Sequence, residues 1–124
     1  MKSLHFNVLA RWIKIKMKVQ GLFLMQIEKL RGKALDELFD AILTLENREE
    51  CYQFFDDLCT VNEIQSLSQR LQVAKMIKQG YTYATIEQES GASTATISRV
   101  KRSLQWGNDA YTMILDRMNI ETAD

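Results

Sequence analysis

The chain has 124 residues with no proline, five glycines, two cysteines and one histidine, and its 16 basic and 16 acidic side chains cancel. That length suits one domain with its own core. The lone histidine, His5, lies apart from the later helical pattern, which excludes a histidine-based zinc site or a Ser-His-Asp arrangement there.

The zero net charge conceals a strong polarisation. Residues 1–24 carry Lys2, Arg11, Lys14, Lys16 and Lys18 and no acid, whereas residues 25–124 are net acidic. Within the latter, residues 64–108 hold six basic side chains against two acidic ones, Glu87 and Glu89. A basic face on an otherwise acidic protein still attracts a polyanion. A merely solvated face is the competing explanation.

Residues 12–19 alternate apolar and basic side chains, a strand-like period, and 21–24 are apolar. Lysines interrupt the segment well short of a membrane span, and no small-residue cleavage site follows it. Three readings stay open for residues 1–24: a basic arm touching phosphates, an added strand or helix, or a stretch translated from an early start codon. The boundary is set at Met25, so the helical domain is expected over 25–124.

From Gln26 the 3.6-residue period predicts successive helices with no hairpin signal. Leu30, Leu35, Leu38, Phe39, Ile42 and Leu43 form a broad apolar stripe. Asn47 and Glu50 predict a capping box for a helix carrying Cys51, Tyr52, Phe54, Phe55 and Leu58. Cys51 and Cys59 would lie about 12 Å apart along a common helix, too far for a bridge; reduced thiols in a cytoplasmic protein are expected. Thr60 and Glu63 form a second capping box, opening a longer helix with Leu67, Leu71, Ala74 and Ile77 inward and Gly80 at its end.

Residues 83–104 read as a helix-turn-helix. Thr82 caps a short helix holding Ile86, Gly91-Ala92-Ser93 makes the turn, and Ser93 caps a second helix burying Ile97, Val100 and Leu104. Its opening side chains, Thr94, Ala95 and Thr96, are small enough for close approach to base edges in a major groove. A helical hairpin inside a bundle is the alternative. After Gly107, Asn108 is expected to start a last helix with Tyr111, Ile114, Leu115 and Met118. The fold class is therefore all-α, with six helices and short connections. Its early helices are too aromatic for a small monomer to cover, which predicts a homodimer.

Residues 54–77 (FFDDLCTVNEIQSLSQRLQVAKMI) and 91–104 (GASTATISRVKRSL) resemble the Trp repressor family, most closely its YerC/YecD-type branch, over Met25 to about Met118. The resemblance implies a six-helix, intertwined homodimer that regulates transcription by binding double-stranded DNA sequence-specifically, as a repressor. By position, Thr94, Ala95 and Thr96 match the base-facing start of the recognition helix. Ser98, Lys101 and Arg102 are candidates for phosphate contacts, which set register without reading sequence.

The same resemblance implies an effector pocket. Arg70 and Arg99 match two arginines that sandwich an amino-acid corepressor; Ser103 matches a polar pocket position, and Thr60 a residue supplied by the other subunit. Three positions depart from the family pattern: Val100 replaces a glycine, and Asp57 and Cys59 replace apolar residues. They argue against L-tryptophan as the corepressor. Arg70 and Arg99 pairing with Asp57 and Glu63 is one alternative, and a different small effector whose amine meets Asp57 is another.

A protein-interaction module without DNA binding is the second functional class. Enzyme chemistry is not expected, because there is no paired-carboxylate setting, glycine-rich phosphate loop or nucleophile with a base. Nor is a membrane partner or a metal expected. The early-start reading of residues 1–24 predicts a native mass beginning at Met25, and a native chain beginning at Met1 excludes it.

Overall fold

A computed structural model describes residues 2–19, 26–121 and 123. All regular structure among them is helical: α1 (Lys2–Val19), a 3-10 segment (Gln26–Leu30), α2 (Lys33–Leu43), α3 (Arg48–Leu58), α4 (Val61–Lys78), α5 (Tyr83–Ser90), α6 (Thr94–Trp106) and α7 (Ala110–Arg117). The six helices expected after Gln26 are α2 to α7. The chain divides into two compact units, Met1–Leu43 and Thr44–Asp124.

In the first unit, residues 12–19 are helical despite their alternating pattern. A lone strand would leave its backbone groups without a ladder, whereas a helix satisfies them internally. Lys16 also reaches back over the Trp12 ring at 4.7 Å, a contact that needs helical i,i+4 spacing. The apolar stretch 21–24 and Met25 lie outside the described residues. Arg31 donates two 2.9 Å hydrogen bonds to Glu28, and α2 has no buried residue, with Phe39 and Leu43 exposed.

The second unit owes its shape to one small core. Val73, Ala74 and Met76 of α4 meet Ile86 of α5, Ala92 of the turn, Ile97 and Val100 of α6 and Leu115 of α7. Leu71, Ile77, Leu104, Tyr111 and Ile120 pack around this centre. Leu67, expected inward, is instead 51% exposed, because α5, α6 and α7 meet the later turns of α4 and leave Leu67 outside the packed centre. Helix α3 likewise has no buried residue; its Phe54 and Phe55 rings meet edge-on at 5.7 Å while Tyr52 stays 69% exposed.

Helix ends follow local hydrogen-bond chemistry. Thr60 and Glu63 make the expected reciprocal box at the start of α4. At α3 only half a box forms: Asn47 accepts from the Glu50 N–H, but the Glu50 carboxylate accepts from the Glu46 N–H at 2.8 Å, one residue further back. Helix α4 closes in a Schellman arrangement, with Tyr81 N–H donating to the Met76 carbonyl and Gly80 N–H to that of Ile77.

The α6–α7 connection corrects one expectation. A Cβ on Gly107 would come within 2.4 Å of the Ser103 carbonyl oxygen, so the chain leaves α6 through a closeness only glycine permits. The reversal then needs a left-handed residue, and Asp109 at φ 63 supplies it, so α7 starts from Asp109 and not from Asn108.

Ile97 is fully buried at the centre of this core. Ile97→Ala is expected to destabilise the unit by about 2–5 kcal/mol. Chemical or thermal denaturation checks this, and an unchanged melt would mean that the buried side of α6 is misassigned.

Candidate nucleic-acid interface

Two helices and a three-residue turn present the candidate surface. Thr82 accepts from the Thr85 N–H to open α5, and Gly91, at φ 69, ends it with its N–H on the Glu87 carbonyl. That left-handed conformation is natural for glycine and strained for other residues. The turn is pinned from both sides: Gln69 Nε2 of α4 donates to the Ser90 carbonyl at 3.1 Å, and the Ala92 N–H donates to Ser90 Oγ at 3.1 Å. Ser93 then caps α6 by accepting from the Thr96 N–H at 3.2 Å.

Helix α6 consequently has three distinct sides. Ile97 and Val100 face the core, with Leu104 half-buried behind them. Thr94, Ser98, Lys101 and Arg102 are exposed, and their i, i+4, i+7, i+8 spacing lines them along one stripe. Lys101 holds its ammonium 5.2 Å from the centre of the Tyr83 ring, on the first turn of α5. Thr94 Oγ1 donates to Glu87 Oε1 of α5 at 2.9 Å. Hydroxyls and cations along such a stripe can bond phosphate oxygens and base edges, which is what a helix in a major groove requires.

The third side forms a cleft of ≈ 300 Å³ lined by Arg70 of α4, by Ala95, Thr96, Arg99, Val100 and Ser103 of α6, and by Tyr111 of α7. Ala95 and Thr96, grouped from the sequence with Thr94, therefore border this cleft. Arg70, Arg99 and Ser103 come together as expected. Val100 is only 2% exposed, so it contributes to the wall without protruding. Thr60 and Asp57 do not line the cleft of their own chain.

The ion pairs considered for the arginines do not form. Among the described residues neither Arg70 nor Arg99 takes part in a salt bridge, and the Glu63 carboxylate is taken by the Thr60 N–H and hydroxyl, both at 2.9 Å. Tyr111 and Glu87 were missed by sequence reasoning. The periodicity of α7 marked Tyr111 only as an apolar-face residue, and no local signal links Glu87 to a residue beyond the turn.

Residues 33–119 match the family described as Trp repressor protein. The chain belongs to that family. It is 70% identical over 94 residues, 76% of this chain and 90% of the relative, to the uncharacterized protein YerC of Bacillus subtilis (strain 168). A crystallised protein from Staphylococcus aureus, provisionally assigned as a Trp repressor, is 97% identical over 81% of this chain and all of its own, with a TM-score of 0.79. A TrpR-like protein from Eubacterium eligens ATCC 27750 is 52% identical, covering 77% of this chain and 98% of its own, with a TM-score of 0.74. The Trp repressor family is one of regulatory DNA-binding proteins and not of enzymes. Among the described residues no helix is long and apolar enough to cross a membrane.

Hydrogen bonds from the Thr60 backbone first, and from its side chain second, hold the Glu63 carboxyl below the usual glutamate range. Because the folded value is lowered, this support of α4 is complete above the unfolded glutamate value and is lost as pH falls through the folded one. An NMR titration of the Glu63 carboxyl carbon is expected to give a midpoint below that of a free glutamate. A midpoint inside the free range would mean that the box is open in solution.

Proposed function

We propose that this protein is a sequence-specific transcriptional repressor that acts in the cytoplasm as a homodimer on double-stranded DNA. The observation carrying this reading is the exposed Thr94–Ser98–Lys101–Arg102 stripe on a helix whose opposite side is buried. Lys101, Arg102 and Ser98 supply phosphate contacts, while Thr94 approaches bases from the stripe and Ala95 and Thr96 approach them from the edge that the first turn of α6 shares with the cleft. Short side chains favour readout through bridging water and thymine methyl contacts. Water-mediated readout of this kind is a known property of the Trp repressor, whose family includes this chain. The DNA-binding domain is assigned to residues 25–124, with 1–24 as an extension.

Uncovered apolar side chains support the dimer. Tyr52, Leu58, Val61 and Leu67 are exposed around α3 and the start of α4, and Phe39 and Leu43 are exposed on α2. Burying them against a second copy removes apolar area from water. Two recognition helices about 34 Å apart then meet successive major-groove turns on one face of the duplex.

A small effector is a further part of the proposal. Arg70 and Arg99 border a cleft with no carboxylate in its wall, and paired guanidinium groups suit a planar ligand bearing a carboxylate. Asp57 and Cys59, in place of apolar residues, weigh against tryptophan in that role, whereas Val100, expected to intrude, is buried in the wall and does not protrude. Thr60, and with it Asp57, joins the site from the partner subunit.

Selection of duplexes from a random pool by the full chain, with and without L-tryptophan, tests the reading. A two-fold-related site is expected in both arms; recovery with tryptophan alone would establish it as corepressor, and no enriched site would overturn the proposal. The double variant Lys101→Glu, Arg102→Glu is expected to lose DNA binding while keeping its mass by light scattering. The single variant Lys101→Gln, which removes one cation from the stripe, should reduce the salt slope of binding by about 1 for each subunit.

A further inference from the structure

Glu87 is out of place on a surface built to meet a polyanion. The segment around the helix-turn-helix carries six cations and only two acids, and one of those acids is exposed against the first residue of α6. A carboxylate there repels phosphates and competes with any anion for the positive end of the helix. It therefore lowers sequence-independent affinity. What a carboxylate can contribute at a base edge is selectivity.

The geometry shows how. A threonine hydroxyl has one donor and two acceptor positions, so alone it pairs with either kind of base-edge group. Thr94 spends its donor on Glu87 Oε1 at 2.9 Å. Its oxygen then faces outward as an acceptor only, beside a carboxylate that is also acceptor-only. The major-groove acceptors of guanine (N7, O6), adenine N7 and thymine O4 find no donor in this pair. Exocyclic amines, cytosine N4 and adenine N6, find two acceptors.

We propose that Glu87 is a specificity-determining residue which, by holding Thr94 as an acceptor, makes the start of α6 select a base carrying an exocyclic amine. This rests on the DNA-binding reading above. Glu87 and Thr94 form one reading unit drawn from two helices, and the unit works only while the turn at Gly91 keeps α5 and α6 in their present relation.

The test is duplex selection from a random pool by the full chain, run side by side for wild type, Glu87→Ala, Thr94→Val, the double variant of these two, and Thr94→Ser. Wild type is expected to prefer cytosine or adenine at one symmetry-related pair of positions. Glu87→Ala and Thr94→Val should each weaken that preference about five- to tenfold at the same pair, with no added loss when combined. Thr94→Ser, which keeps the hydroxyl, should retain it, and Glu87→Ala should bind unrelated duplex more tightly than wild type. Melting curves of all variants confirm that the fold is intact, as both side chains are exposed. A wild-type site whose base preferences survive Glu87→Ala and Thr94→Val unchanged, or change at different positions in the two, overturns the inference while leaving DNA binding standing. No enriched site for wild type overturns both.

Discussion

Burial of one side of α6 against three other helices is the constraint from which the rest of the second unit follows. Ile97 and Val100 occupy the space between Val73 and Ala74, Ile86 and Leu115, and dense packing there leaves α6 little freedom to roll. A helix fixed in rotation presents a fixed outer stripe. Thr94, Ser98, Lys101 and Arg102 are exposed because Ile97, Val100 and Leu104 are not. The supports around the turn serve the same end: Gln69 clamps Ser90 from α4, and Gly91 adopts the conformation that lets α5 stop within two residues of the Ser93 cap.

Charge on this scaffold is arranged locally. The chain is neutral in total, yet Lys101 and Arg102 share one exposed stripe of α6 and Lys101 is steadied over the Tyr83 ring. Arg70 and Arg99, brought from α4 and α6 to one cleft, form no salt bridge through their guanidinium donors among the described residues. Such donors are poor contributors to stability, since exposed ion pairs would add little, but they are well suited to bind an outside anion. Glu87 is the exception on the opposite border of α6, and its bond to Thr94 couples the two helices of the motif through polar groups as the core couples them through apolar ones.

The uncovered apolar side chains of α3 and the first turns of α4 are the other consequence of so small a core. Among the described residues four helices enclose eight buried apolar side chains, while Tyr52, Leu58, Val61 and Leu67 of the same unit stay exposed. That uncovered apolar surface is the physical basis for the dimer proposed here.

Much of this was readable from local chemistry. Thr60 with Glu63, Thr82, Gly91 and Ser93 announce their helix ends through bonds spanning four residues or fewer, and the period of Ile97, Val100 and Leu104 names the buried side of α6; none of these depends on distant residues. Where local chemistry faltered, packing or geometry further along the chain had intervened. Asn108 looked like a cap, but the approach of Gly107 to Ser103 shifted the start of α7 to Asp109. Leu67 continued an apolar period that its neighbours do not cover. The separation of Ala95 and Thr96 from the Thr94 stripe, the entry of Tyr111 into the arginine cleft and the bond between Glu87 and Thr94 all depend on how α4, α5, α6 and α7 cross. Crossing is governed by side chains meeting over long sequence separations, and a one-dimensional pattern carries periodicity and caps but not the angle at which two helices meet.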